Sequence, residues 1–259
     1  MDSMTPETAR LANLIAHSTA ILVVTGAGVS TASGIPDYRG PNGVWRTQRP
    51  VEFSEFLSSE DRRIDYWDQK VASADVIEHA SPGSVHRACT DLEASGRLLA
   101  VVTQNVDGLH TDAGTSPPLL IEVHGTTREA SCLSCGERVP IREAIDDFVS
   151  TRVPPRCASC GGLLKPATIS FGQQLDPLTI ARASQAAERC DLVIALGTTL
   201  SVHPAAEIPL RAASRGAPYV IVNRGITDHD HHPQVTLRIE GDVSSIFPQA
   251  VSDALERSS

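Results

Sequence analysis

Nothing in the 259 residues approaches the ~20 consecutive apolar residues of a membrane span. The opening MDSMTPETAR likewise lacks the apolar h-region of a secretory signal. Together these absences lead us to expect a cytoplasmic protein with no membrane partner. A basic surplus is missing too: 22 Lys+Arg against 31 Asp+Glu leave a formal charge of -9. That balance argues against direct binding of nucleic acid, because phosphate recognition needs a net basic surface. It suits a basic partner such as a lysine-bearing protein segment, and equally an ordinary soluble acidic protein. Cytoplasmic thiols stay reduced, so the six cysteines need a role other than disulfides. What remains is globular in character, with 41% hydrophobic and 20% charged residues, in a length that holds one sizeable α/β core plus a smaller module.

The chain is organised around the stretch from Ile21 to Trp45, ILVVTGAGVSTASGIPDYRGPNGVW. Ile21 to Val24 read as a buried strand, and Gly26-Ala27-Gly28 follows at once as a tight turn. In open parallel sheets a strand that empties into such a turn receives a phosphate. Glycine permits close backbone approach, and the helix N-terminus beyond it favours negative charge. On its own Gly-x-Gly is also compatible with a turn that holds no ligand. A dehydrogenase fingerprint would place glycine at position 31, where this chain has Thr31, and would continue as an amphipathic helix. Instead, Ser33 to Pro41 is rich in helix breakers and reads as a loop, whose Asp37, Tyr38 and Arg39 are suited to cover a bound diphosphate.

Before this stretch, Thr5 caps a helix with Pro6 in its first turn and Leu11, Leu14 and Ile15 on one face. After it, Phe53 to His79 reads as helical, placed over the mouth of the site, and Ser84 to Ser95 as a helix stopped by Gly96. The strand Leu98 to Val102 runs into Thr103-Gln104-Asn105-Val106-Asp107-Gly108-Leu109-His110. Polar side chains at a strand's carboxyl end face the same crevice as the glycine turn. Gln104, Asn105 and Asp107 can grip hydroxyls and amides there, though a polar helix cap would look the same. Leu119 to Val123 then delivers His124-Gly125 to that edge, and histidine is the side chain best able to move a proton at neutral pH.

Cys132-x-x-Cys135 and Cys157-x-x-Cys160 form two pairs with structural-zinc spacing, since four thiolates close a tetrahedral shell with no open position. Redox pairs are the alternative, without a thioredoxin-like context to support them. Cys89 and Cys190 read as buried fillers. Ala167 to Phe171 reads as a short extended run, Asp176 to Arg189 as a helix and Asp191 to Leu196 as a strand. That strand ends in Gly197-Thr198-Thr199-Leu200, which suits the second part of a dinucleotide. A helix ending near Gly216 precedes the strand Tyr219 to Val222, at whose end Asn223 is placed to hold a ribose hydroxyl. His229, His231 and His232 suggest a metal, but without clustered acidic or cysteine ligands they read as a solvated loop. Val235 to Ile239 and a closing helix after Gly241-Asp242 complete the sheet.

Taken together, these motifs resemble the sirtuin family of NAD-dependent protein deacylases. The matching stretches occur in family order: Gly26 to Ser30, Ser33 to Arg39, Thr103 to His110, His124-Gly125, the two Cys pairs, Phe171-Gly172, Gly197 to Leu200 and Val222-Asn223. The resemblance implies an α/β fold, with a Rossmann-like NAD domain (1–125 and 167–259) and a small zinc module (126–166) joined by part of 40–80. NAD and an acyl-lysine peptide would enter the cleft between them. By that likeness His124 is the base and, with Asn105, a catalytic residue. Gly26, Ala27 and Arg39 would hold the diphosphate side, Gln104 and Asn105 would face the nicotinamide ribose and Asp107 the carboxamide, and Gly28, Ser30, Asp37, Tyr38 and Val106 would also bind the cofactor. Gly197, Thr198, Thr199, Asn223 and Arg224 would line the adenosine end, Asp242 and Val243 would also bind the cofactor, and Ile169, Phe171 and Gly172, with His124, would meet the substrate. Cys132, Cys135, Cys157 and Cys160 would bind structural zinc. The implied products are the free lysine, nicotinamide and an O-acyl-ADP-ribose. A protein mono-ADP-ribosyltransferase on the same fold, or a non-catalytic NAD or ADP-ribose binding module, are the alternatives.

Two departures bear on the acyl group. Many relatives have Phe-Gly-Glu where this chain has Phe171-Gly172-Gln173, which removes a charge near the expected peptide groove. Relatives specialised for succinyl-lysine follow a tyrosine with arginine three residues later, whereas Tyr66 here is followed by Gln69, so no dicarboxylic preference is expected. The run Arg39 to Trp45 is similar to a branch in which weak deacetylation, long-chain deacylation and ADP-ribosyl transfer all occur, and acyl length stays open.

Overall fold

A computed structural model describes residues 4–40 and 43–257; Pro41 and Asn42, which belong to the loop and to the Arg39 to Trp45 run, lie outside the described residues. Helix α1 (Pro6–Ala16) begins where Thr5 Oγ1 accepts the N–H of Thr8, with proline in the first turn, where no N–H is needed. Its buried stripe of Leu11, Ala12 and Ile15 leads into β1 (Ile21–Thr25), buried at every residue. Then come α2 (Phe53–Ser58), α3 (Glu60–His79), α4 (Ser84–Ala94), β2 (Leu98–Thr103), the single turn α5 (Leu109–Asp112) and β3 (Leu120–Glu122). A smaller unit follows, made of β4 (Gly125–Cys132), β5 (Arg138–Pro140), α6 (Ile141–Thr151) and β6 (Leu164–Thr168). The chain closes with α7 (Pro177–Arg189), β7 (Leu192–Leu196), α8 (Glu207–Ser214), β8 (Tyr219–Asn223), β9 (Val235–Glu240) and α9 (Val243–Glu256).

Six parallel strands form one sheet in the order β3-β2-β1-β7-β8-β9. Because strand side chains alternate, Ile21 and Val23 enter one core with Leu11, Ile15, Leu92 and Phe247, while Leu22 and Val24 enter the opposite core with Ala183, Ala187 and Ile208. Helices α1, α4 and α9 therefore cover one face and α7 and α8 the other. This double burial explains why the strands read as unbroken apolar runs.

The smaller sheet is antiparallel, in the order β5-β4-β6. It departs from β3 through Val123 and His124 and returns where Thr168 pairs with Gly125. Its core joins Ala130, Cys132, Ile145 and Phe148 to Trp67 of α3, whose ring lies 6.2 Å from that of Phe148.

Two expectations are corrected here. The helical stretch from Phe53 is broken at Ser59, whose extended backbone (φ -131, ψ 129) ends α2 while its hydroxyl caps α3. α3 then lies on the smaller unit through Trp67, with Tyr66 Oη 3.2 Å from Thr168 Oγ1, while the start of α2 reaches the expected substrate segment, where Phe53 N–H donates to Phe171 O (2.9 Å). The extended run Ala167 to Phe171 is shifted: β6 is Leu164–Thr168. An edge strand tolerates Pro166, whose missing donor weakened the pattern in the sequence.

Candidate active site

The chain runs outward from β1 to β2 and β3, then returns to β7 on the other side of β1. β1 and β7 thus flank the topological switch point, where open α/β sheets bind ligands at the strands' carboxyl ends. The two glycine turns meet there. Gly28 N–H donates to Gly197 O (2.8 Å), and a Cβ on Gly28 would stand 2.7 Å from Gly197 Cα. A Cβ on Gly26 would stand 2.7 Å from Thr198 Cβ, so both glycines are needed for turn-to-turn packing as well as for a ligand. Ala27 opens a short 3₁₀ turn to Val29, from which Ser30 faces the end of β2.

Ser30, Asn105 and Asp107 form a buried polar group, 1%, 6% and 5% exposed. Asn105 Nδ2 donates to Ser30 Oγ (3.0 Å), which donates to Asp107 Oδ2 (2.7 Å), while the Leu109 N–H holds Asp107 Oδ1 (2.9 Å). Gln104 Nε2 donates to Thr198 Oγ1 (3.0 Å), which ties the end of β2 to the Gly197 turn. Val106 uses its carbonyl for the Thr127 N–H (2.8 Å), a backbone role.

His124 stands where the two sheets join. Its Nδ1 lies 3.0 Å from Gln104 O, which fixes the neutral tautomer with Nδ1 as donor and leaves Nε2 to take a proton. Burial lowers its pKa and the bond to the Gln104 carbonyl opposes this, with a net shift downward. Its own carbonyl accepts the Ile169 N–H (2.8 Å), bringing the expected substrate segment beside it.

Around this centre, Asp37 holds the loop by accepting Gly40 N–H (2.8 Å). Tyr38 stacks on Trp45 (4.9 Å) and Trp45 meets Phe171 edge-on (5.1 Å), so the loop and the Phe171-Gly172 segment touch. Arg39 packs over Trp45 (4.9 Å) and donates to Ser201 Oγ, which in turn contacts Thr199 Oγ1 (2.8 Å). Gly172 takes φ +78 with open space around it, and Gln173 Oε1 accepts the Ser170 N–H (3.1 Å). At the far end, Asn223 is 7% exposed and donates to the carbonyls of Arg224 and Gly225. Arg224 pairs with Asp242 (3.0 Å), the cap of α9, where Val243 is the buried first residue. Contacts thus link Phe171 to the loop through Trp45, and His124 to Gln104 and Ile169, while Asn223 ends β8 and Asp242 follows β9.

Sγ atoms of Cys132, Cys135, Cys157 and Cys160 all lie within 4.8 Å of one another, with closest pairs at 3.5 and 3.7 Å. Tetrahedral zinc with Zn–S of about 2.3 Å requires S···S separations of ~3.8 Å, so the set fits zinc. The redox alternative is disfavoured by this four-way convergence. Cys89 and Cys190 stay apart, and burial pushes the Cys190 thiol up to about 11.

Some neighbours had no role assigned from the sequence: Ser201, which receives Arg39, and Trp45, on which Tyr38, Arg39 and Phe171 pack. His110 closed the polar run after β2 without an assigned role; it is buried, its Nε2 lies 3.2 Å from Thr25 Oγ1, and its ring is 4.7 Å from that of His86. Burial drives the His110 pKa down to about 3. His229 is a correction: it is 5% exposed and its Nδ1 lies 2.9 Å from Tyr219 Oη, a satisfied core contact and not a solvated side chain.

Residues 26–204 match the Sir2 family. Over 229 residues the chain is 39% identical to an NAD-dependent protein deacetylase of Rhodopseudomonas palustris, covering 88% of this chain and 90% of the relative. It is 40% identical to NAD-dependent protein deacetylase 2 of Streptomyces coelicolor (84% and 91% covered) and 35% to NAD-dependent protein deacylase 2 of Archaeoglobus fulgidus (96% and 97%). Among solved structures it resembles a Sir2–p53 peptide–NAD+ complex at TM-score 0.85 and 31% identity, covering 95% of this chain and 98% of that one. Sir2Tm bound to a propionylated peptide matches at TM-score 0.83 and 30% identity (96% and 98%). The chain belongs to the Sir2 family.

Proposed function

We propose that the protein is an NAD-dependent protein-lysine deacylase: acyl-lysine, NAD and water become lysine, nicotinamide and O-acyl-ADP-ribose. The observation that carries this is His124, locked through Nδ1 to the Gln104 carbonyl beside the buried Ser30–Asn105–Asp107 group, at the carboxyl ends of the parallel strands. The group of donors and acceptors fits a nicotinamide nucleotide: Asp107 and Asn105 offer a carboxylate and an amide, buried and already oriented, for a carboxamide and a ribose hydroxyl. NAD, when bound, supplies an electrophilic anomeric carbon with nicotinamide as leaving group. In our reading Gly26, Ala27, Gly28 and Arg39 hold the diphosphate, and Thr198, Thr199, Asn223 and Arg224 hold the adenosine end. His124 Nε2 takes a proton from a ribose hydroxyl. Relatives named as deacetylases and deacylases, and Sir2 structures holding NAD+ or peptides, support this assignment.

Ile169, Phe171 and Gly172 are the proposed peptide contacts, and an acyl-lysine segment of a protein the proposed partner. Gln69 spends its amide on Arg49 O (3.2 Å), consistent with no dicarboxylic preference. We place the division into domains at the exit after Gly125 and the return at 167. A cytoplasmic setting belongs to the same proposal; among the described residues no helix is long and apolar enough to cross a membrane. The test is nicotinamide release from NAD with lysine peptides carrying acetyl, butyryl, myristoyl or succinyl groups. Acyl-dependent release supports deacylation, release that ignores the peptide supports ADP-ribosyl transfer, and no release leaves a binding module.

A further inference from the structure

Away from His124, a cleft of about 180 Å³ lies between α3, α6 and the start of β4. Ala74 and Ile145 contribute apolar wall, while Lys70, Arg128 and Arg142 bring three cations against one carboxylate, Glu78, among the lining residues. Two of the cations are engaged: Arg142 pairs with Glu78, and Arg128 pairs with Asp112 and donates to Asp107 O (3.2 Å). Lys70 forms no ion pair among the described residues. The residue is half-buried, and its Nζ sits 5.1 Å from the centroid of the Tyr66 ring, where, against the opposing effect of burial, its charge helps draw the Tyr66 phenol down to about 7.

We propose that this cleft binds a small organic carboxylate with a benzene-sized apolar body, its charge received by Lys70. The volume fits, since an apolar cavity of about 150 Å³ takes up benzene. The charge fits as well: a half-buried ammonium with no carboxylate partner among the described residues gains from one delivered beside it, and the surplus of cations repels none. An amphipathic anion satisfies wall and rim together, whereas a neutral apolar molecule leaves Lys70 without a carboxylate.

The probe is benzoate, titrated into the zinc-loaded, ¹⁵N-labelled full chain and followed by amide shifts. The expected result is saturable shifts in α3 and α6, a Kd raised at least tenfold by Lys70→Gln, and loss of saturation in Ala74→Phe, which fills the cleft. Benzyl alcohol, of similar size without the charge, should bind at least tenfold more weakly. Melting curves check that the variants fold; if Ala74→Phe does not, Lys70→Gln and the benzyl alcohol comparison decide. No saturable shift in α3 and α6, or shifts that survive Ala74→Phe in a folded protein, overturns the site. Equal binding of benzyl alcohol, or an unchanged Kd in Lys70→Gln, overturns the carboxylate.

Discussion

His124 Nδ1 and the main-chain carbonyl of Gln104 lie 3.0 Å apart, a contact that joins the end of β2 to the exit from the large sheet. It fixes which ring nitrogen is the base, and it does so through backbone, where no side-chain substitution can remove the acceptor. His124→Ala should keep NAD affinity and lower acyl-lysine turnover by about 10²–10⁴-fold, the usual span for a general base. Because only the neutral ring accepts a proton and burial depresses its pKa, log kcat/KM should rise with pH at the acid limb and level off below the ordinary histidine value of about 6.5. A limb centred above that value would contradict the geometry.

Ser30 Oγ is the shared partner of Asn105 and Asp107. Ser30→Ala leaves a buried amide N–H and a buried carboxylate oxygen each short of one bond, costing about 1–3 kcal/mol per group left unsatisfied. On the proposed placement of the nicotinamide end against Asn105 and Asp107, kcat/KM for NAD should drop tenfold or more while the Kd of ADP-ribose barely moves. Equal losses for both ligands would place the effect elsewhere.

Gly197 takes φ +59, and a Cβ there would lie 2.7 Å from Val29 N. Gly197→Ala therefore meets backbone that cannot yield, beyond the ~1–2 kcal/mol of a left-handed conformation for an L-residue. Gly216, at φ +97 with nothing within 4 Å, is the control that carries only the conformational cost. Denaturant melts should show Gly197→Ala distinctly less stable than Gly216→Ala, with NAD binding lost only in the first.

Cys157→Ser removes one of four converging thiolates. Zinc in such sites contributes an apparent ~10–16 kcal/mol to folding, and the core beneath it is confined to Trp67, Phe148 and their few neighbours. Metal analysis should find zinc lost and the protein aggregated. A soluble, active variant without zinc would mean the module is held by its core alone.

The large sheet was legible because β1 and β7 are buried on both faces, so their residues carry no polar interruption, and because the glycine turns must pack against each other. The four cysteines were legible from spacing alone. The strands of the smaller unit were not: β5 has three residues, and β6 contains Lys165 and Pro166, residues that ordinarily argue against a strand. Lys165 is 1% exposed, with Nζ donating to the carbonyls of Pro166 and Thr168 and lying 5.3 Å from the Tyr66 ring centroid, partners supplied only by the tertiary fold. The same holds for His229, whose burial depends on Tyr219 ten residues earlier. The break at Ser59 was hidden because serine in a helical pattern signals a cap only once the turn before it is known to end.

The measurement that bears most directly on the central claim is mass spectrometry of products from NAD and an acetyl-lysine peptide, run in parallel with wild-type protein and His124→Ala. Deacylated peptide and O-acetyl-ADP-ribose should accumulate together in equal amounts with the wild type and fall away in the variant. ADP-ribose attached to protein without deacylated peptide, or undiminished deacylation by His124→Ala, would contradict it.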